Sequence, residues 1–214
     1  MDKKTLTQAS ITRFPSPVVA SQKTKEEKTE AIAHHVRSIM EILGLDLSHH
    51  SLQKTPERVA HMYVHEIFSG LDPATFPSTP MFEDEGLSNM GNMVVTKVDI
   101  VSFCEHHLVP MIGTAFVGYM PKDKVIGLSK ISRIARYFAS RPQLQERLSA
   151  QIGDSIATIL GHRDIIVLLK AQHTCVIARG VKAENSQTTT LYTDGLFESS
   201  AEYRREFFTI TADL

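Results

Sequence analysis

Between residues 29 and 43 the apolar positions Ile32, Val36, Ile39, Met40 and Leu43 recur at helical spacing, and Gly44 follows as a stop. A second helix is expected from Thr55-Pro56, with Thr55 as cap and Pro56 in the first turn. Val59, Met62, Tyr63, Ile67 and Phe68 form its stripe, and Gly70 ends it. Residues 72–92 carry three prolines, two glycines and the acidic Glu83-Asp84-Glu85, and read as a linker. The period then changes. β-Branched residues predict strands over 93–103 and 113–120, with a turn at Pro121-Lys122-Asp123-Lys124. Helices are expected over 128–139 and 144–160, broken by Arg141-Pro142, then strands over 164–171 and 175–181 and a closing helix over 197–208. Two helices followed by strand–strand–helix–helix–strand–strand predict an α+β chain with an antiparallel sheet.

Composition narrows the class. The chain has 214 residues, with 23 Lys+Arg against 24 Asp+Glu, a net charge of −1. That length supports one domain with an extension. The near-neutral balance gives no overall pull toward nucleic acid or an anionic membrane, so any anion site must be a local cluster of cations. No apolar run is long enough to span a bilayer, and the polar start lacks a signal peptide's apolar segment. The expected compartment is the cytoplasm. Residues 1–27 read as a flexible N-terminal arm, 28–90 as an N-terminal helical region and 91–214 as the catalytic domain.

The two cysteines, Cys104 and Cys175, are 71 positions apart. In a reducing compartment such a pair is better explained by metal binding or catalysis than by a disulfide. Ser102-Phe103-Cys104-Glu105-His106-His107 places a thiol and two imidazoles within four residues at the expected end of a strand. Gln172-His173-Thr174-Cys175 forms a second cluster, and an extended backbone there would project His173 and Cys175 to one side. Together these donors suit zinc better than magnesium or calcium. Spacing leaves open which imidazole of His106 and His107 binds. Two cysteines and one histidine, with spare histidines beside them, fit an ion that keeps an open position. The ordinary alternative is inert buried cysteines and core histidines, and Glu105 also reads as a carboxylate orienting an imidazole.

Between the clusters, Gly127-Leu128-Ser129 sits where a strand gives way to a helix, so backbone N–H groups and the helix dipole favour an anion. Lys130 and Arg133 share one helix face, and Arg179 closely follows the second cluster. Three such cations could hold a phosphate chain, although a solvated basic face is the plainer account. Glu146 lies near a helix start, where a dipole partner is the usual role.

These residues resemble the GTP cyclohydrolase I family. The likeness rests on Cys104-Glu105-His106-His107, on Gly127 through Arg133, on Arg141 through Leu148, and on His173-Thr174-Cys175 with Ala178-Arg179-Gly180. Upstream, Thr55 through Ala60 and Glu66 through Leu71 also match, so the resemblance spans roughly residues 30 to 208. It implies a tunnelling fold (T-fold): an antiparallel sheet with two helices on one face, multimerised into a barrel, with added N-terminal helices. It implies a decamer of two stacked pentamers with active sites between subunits. The implied reaction converts GTP and water to formate and 7,8-dihydroneopterin triphosphate, the first step toward folate and related pterins.

The resemblance implies that Cys104, His107 and Cys175 hold Zn2+, leaving His106 and His173 as acid–base groups. Histidine suits that work because it titrates near neutral pH. Glu146 is implied as the carboxylate accepting from the guanine ring N–H and amino group, with Gln145 beside it. Ser129 is implied near the ribose and phosphates, and Lys130, Arg133 and Arg179 near the triphosphate. Arg58 is implied to reach a neighbouring subunit's site. The chain departs from the family at His61, where a lysine is usual. Competing readings are a non-catalytic purine-binding scaffold with structural zinc, and a T-fold nitrile reductase, which needs a nucleophilic cysteine and a nicotinamide cofactor. The His-x-Glu and Pro-Cys-x-x-Cys signature of zinc nucleobase deaminases is absent.

Overall fold

A computed structural model of the chain describes residues 12–78, 81–83, 93–122 and 124–214. Helix α1 (Lys25–Ile42) starts four residues ahead of the periodic stretch. Its start is set by a capping box: Thr24 Oγ1 accepts from the Glu27 amide (3.2 Å) and Glu27 Oε2 accepts from the Thr24 amide (2.7 Å). Gly44 follows at φ +77°, as the stop signal requires. Helix α2 (Thr55–His61) has Pro56 in its first turn, but Thr55 is already helical and supplies no cap. It runs on as a π-helical turn (Met62–Ile67) and a 3-10 turn (Ser69–Leu71). Much of the expected linker, residues 79–80 and 84–92, lies outside the described residues, as does Asp123 of the expected turn.

Strands β1 (Met81–Glu83) and β4 (Lys124–Ile126) form a small antiparallel ribbon. The main sheet contains β2 (Val94–Cys104), β3 (Pro110–Tyr119), β5 (Pro142–Gln143), β6 (Ile165–His173) and β7 (Thr188–Asp194), in the order β5-β2-β3-β6-β7. Every pairing is antiparallel except the short β5 on β2. Helices α3 (Leu128–Ala139) and α4 (Gln145–Leu160) lie between β4 and β6 in the chain. Ile131, Ile134, Ala135 and Phe138 follow the helical repeat and pack with Leu148, Ile152 and Ile156 against Val98, Ile100, Ala115, Val117, Ile165, Val167 and Leu169. The other side of β3 and β6 is covered by Phe197 and Phe207 from helices α6 (Leu196–Ser199) and α7 (Ala201–Ala212). Burial from both sides explains the unbroken apolar run Ile165–Leu169.

The expected α+β class with a mainly antiparallel sheet is the observed one, but one strand is elsewhere. Residues 174–177 form a helical turn, α5 (Thr174–Ile177), and the last strand is β7. Thr174 Oγ1 donates to the Pro110 carbonyl (2.6 Å), anchoring the turn to the start of β3. The Thr188-Thr189-Thr190 run of β7 is β-branched but polar, so it lacks the apolar alternation that marks a strand.

Residues 12–16 of the expected arm are packed on the body. Thr12 and Ser16 are buried. The Arg13 guanidinium meets Asp154 (2.7 Å), Asp194 (3.1 Å) and the Tyr192 hydroxyl (2.9 Å). Ser16 Oγ accepts from the fully buried Arg141 (3.2 Å), whose other nitrogen donates to the Gly70 carbonyl (2.7 Å). Arg141 also lies over the rings of Tyr137 and Phe138. Among the described residues no helix is long and apolar enough to cross a membrane.

Gly70 is where the N-terminal helices meet the end of α3: its amide donates to the Ser140 carbonyl (2.8 Å), and a Cβ would stand 2.1 Å from the Tyr137 carbonyl. Gly70→Ala is expected to lower stability by about 1–3 kcal/mol in a denaturant titration; an unchanged midpoint would contradict this contact. Acid should also loosen the fold. Burial raises the carboxyl groups of Asp194 and Asp164, but Arg163 and Tyr192 on the first, and Lys122 and the Leu196 amide on the second, outweigh it and hold both below their ordinary 3.8. Depressed carboxylates stabilise the fold above their unfolded pKa and lose that contribution as pH falls through the folded one. Calorimetry should show a melting temperature that declines progressively below about pH 4, and a flat profile there would refute it.

Candidate functional site

The site is assembled where β2 and β6 end at the same edge of the sheet. Cys104 is the last residue of β2, opposite Gln143 of β5, and is 6% exposed. Beyond it the chain reverses tightly. The Leu108 amide donates to the Cys104 carbonyl (2.8 Å), the Cys104 amide to the Val109 carbonyl (2.9 Å), and Leu108 takes a left-handed φ of 53°. The reversal folds both imidazoles back over the thiol, with the Nδ1 atoms of His106 and His107 each 3.8 Å from Cys104 Sγ. On the other side, β6 ends at His173 and the α5 turn swings Cys175 toward the same point. A helical turn, rather than the expected extended stretch, delivers this thiol.

The ligand atoms of Cys104, His107 and Cys175 lie within 4.8 Å of one another. His107, and not His106, is the imidazole in this group. Burial pushes the Cys175 thiol up, and the adjacent Cys104 pushes it further, against a smaller opposing pull from Arg179. A divalent cation beside the Cys175 sulfur would reverse that shift. Two sulfurs and an imidazole are a donor set that suits zinc. The residues present therefore fit the ion.

Around this group the first turn of α4 makes the main contacts. His173 Nε2 is 2.7 Å from Gln145 Oε1. Burial lowers the His173 pKa below its ordinary 6.5, and Glu146 opposes the shift. The imidazole is thus mainly neutral at pH 7. Glu105 does not orient an imidazole, as its position suggested; it pairs with Arg147 of α4 (2.5 Å), while its amide donates to the Gln143 carbonyl (3.0 Å). Sequence reasoning missed Arg147, whose only signal was its place beside Glu146. Gln145, next to Glu146 at the start of α4, is 2% exposed and bonded through both amide atoms to protein groups.

The cations divide. Arg179 is brought to the group, donating to His107 Nε2 (2.6 Å). Ser129, Lys130 and Arg133 occupy the first turns of α3, and their side chains make no hydrogen bond or ion pair among the described residues. That helix begins at Gly127 without a side-chain cap, leaving N–H groups available to an anion. Glu146 is exposed at the start of α4. Arg58 is exposed on α2, and no contact joins it to the cysteine–histidine group. His61 stacks on His65 and lies 3.3 Å from a Glu66 oxygen.

The profile of the GTP cyclohydrolase I family matches residues 32–212. The chain belongs to the GTP cyclohydrolase I family. It is 48% identical over 193 residues to GTP cyclohydrolase 1 of Aeromonas hydrophila, covering 90% of this chain and 88% of that one. It is 47% identical to GTP cyclohydrolase 1 of Vibrio vulnificus over the same shares. Among solved structures, the archaeosine synthase QueF-Like in the apo form overlaps 47% of this chain and 90% of its own at a TM-score of 0.39 and 14% identity, a slight likeness. In this GTP cyclohydrolase family member the Glu105–Arg147 pair ties the ligand loop to α4. Arg147→Met is expected to speed metal loss to a chelator by about 10-fold without changing the protein's fold, since such supporting contacts typically carry that weight. Equal release from both proteins would remove this role.

Proposed function

We infer that this chain is a zinc-dependent GTP cyclohydrolase I, converting GTP and water to formate and 7,8-dihydroneopterin triphosphate. The observation that carries zinc dependence is the convergence of Cys104, His107 and Cys175 beside two histidines, His106 and His173, that the group does not consume. Zinc held there supplies Lewis acidity toward the water that attacks carbon 8 of guanine. His173, mainly neutral and half-buried, and the exposed His106 move protons to and from the purine ring nitrogens. Glu146 accepts hydrogen bonds from the guanine ring N–H and amino group; adenine would leave that carboxylate unpaired. Arg179 receives the triphosphate of the site beside it, and the uncapped start of α3, which stands at the other end of the sheet, brings Lys130 and Arg133 to the triphosphate and Ser129 to the ribose and adjacent phosphates of a neighbouring subunit's site.

We assign the chain a T-fold, with residues 91–214 as its catalytic domain, 28–90 as added helices and the N-terminal residues through 27 as an arm. Both edges of the main sheet support edge-to-edge assembly. Among the described residues β2 is covered only at Phe103–Cys104 by β5, and β7 has a strand on one side alone. Assembly as a decamer of stacked pentamers would bring Arg58 of one subunit to the site of another. Two unpaired thiols serving as ligands suit the cytoplasm.

Zinc-loaded protein incubated with GTP should release formate and yield a product that is fluorescent after oxidation. Absence of both would overturn the reading, and a solution mass near one subunit would overturn the shared site. Cys175→Ser is expected to lose both zinc and turnover. His173→Ala should keep zinc while turnover falls by roughly 100-fold or more. Equal zinc loss in the two variants would refute this ligand set.

A further inference from the structure

Gln145 is placed as no substrate contact would need to be. Its Nε2 lies 2.9 Å from the Leu169 carbonyl of β6, 3.0 Å from the Thr188 carbonyl of β7 and 3.3 Å from Thr190 Oγ1. Thr190 is itself held by Ser149 Oγ (3.2 Å), which also donates to the Gln145 carbonyl (3.1 Å). Carbonyl oxygens only accept, so the amide cannot be turned over: exchanging its ends would set Oε1 against two acceptors. Oε1 must therefore face His173 Nε2, at 2.7 Å. That oxygen can only accept, which requires a hydrogen on Nε2.

We propose that Gln145 is a positioning residue that holds the His173 ring in its Nε2–H form and fixed orientation, leaving Nδ1 as the nitrogen that works on the purine. The amide spans the seam between β6 and β7, so its oxygen is fixed by the sheet rather than by a mobile loop. Because the side chain is 2% exposed, it acts through His173 and not by touching GTP. This rests on the GTP cyclohydrolase reading above and adds to it the atom through which His173 acts.

The test compares wild type with Gln145→Met and Gln145→Leu, both of which keep the bulk and lose the acceptor, and reads the His173 tautomer directly from the 15N NMR signals of its ring nitrogens. Zinc content and oligomer mass are checked in each. For Gln145→Met, kcat is expected to fall about 10- to 100-fold while KM and the calorimetric Kd for GTP stay within about twofold. The wild-type spectrum should show the His173 hydrogen on Nε2 and the variants a mixture of tautomers, a signature that a purely structural role would not move. Introduced into His173→Ala, Gln145→Met should cause no further loss, because its partner is already gone. A KM or Kd for GTP raised about tenfold in either variant would assign Gln145 to substrate binding and overturn the proposal. So would a full additional loss in the His173→Ala background, or a wild-type His173 ring carrying its hydrogen on Nδ1. If neither variant folds, the wild-type spectrum alone decides: a hydrogen on Nε2 of His173 supports the proposal and one on Nδ1 overturns it. Wild-type protein that does not turn over GTP would instead remove the underlying functional reading, a result distinct from all of these.

Discussion

The site depends on one strand serving as partner to two others in a single register. Met111 of β3 lies opposite Ser102 of β2 on one side and His173 of β6 on the other. This brings the ends of β2 and β6 level at one edge, although their cysteines are 71 residues apart in the chain. Two strand spacings amount to roughly 10 Å, too far for two thiols to share an ion directly. The tight reversal after Cys104 and the helical turn after His173 close that gap from opposite sides. A slip of one residue in either ladder would turn every inward side chain outward, so burial of the Val98–Ile100 and Ile165–Leu169 faces enforces the same register the site requires.

Helix α4 adds further chemistry to this edge. It is buried along almost its whole length, which fixes its height above the sheet. Its first turn then touches both ligand segments, Arg147 reaching Glu105 in the reversal and Gln145 reaching His173 at the end of β6. Glu146 stays exposed between these two anchored neighbours. The start of α3, with its bare N–H groups and cations, lies at the other end of the sheet, where the Ile126 amide meets the Tyr119 hydroxyl (3.4 Å), while the end of α3 reaches Ser102 beside the site.

The surrounding packing keeps these parts together. Arg141, buried between Tyr137, Phe138, Ser16 and Gly70, links the polar N-terminal stretch, the α2 region and the end of α3. Its burial costs solvation, and the lowered pKa of the guanidinium reflects that penalty. Hydrogen bonds and ring faces offset it. A second polar junction, in which Arg13 and Arg163 face Asp154 and Asp194, joins α4 to β7. Burial, and then Asp194, pushes the intervening Tyr192 hydroxyl up to about 12, so it stays a donor at neutral pH.

The chain itself specified the class, the order of helices and strands, and the exact span of α3, because an amphipathic stripe and its punctuation are local properties. It also carried the ligand types, since thiols and imidazoles at short spacing have few other uses. The capping box at Thr24 was legible as well, but it lay inside a polar stretch that composition marked as an arm. Only the tertiary structure decided that β7 is the threonine run and that residues 174–177 turn helically, because a polar edge strand is stabilised by its neighbour's ladder rather than by its own pattern. The same holds for the site's detail: the approach of His107 to both thiols, the Glu105–Arg147 pair and the burial of Gln145 all depend on contacts between residues distant in sequence, which no local spacing encodes.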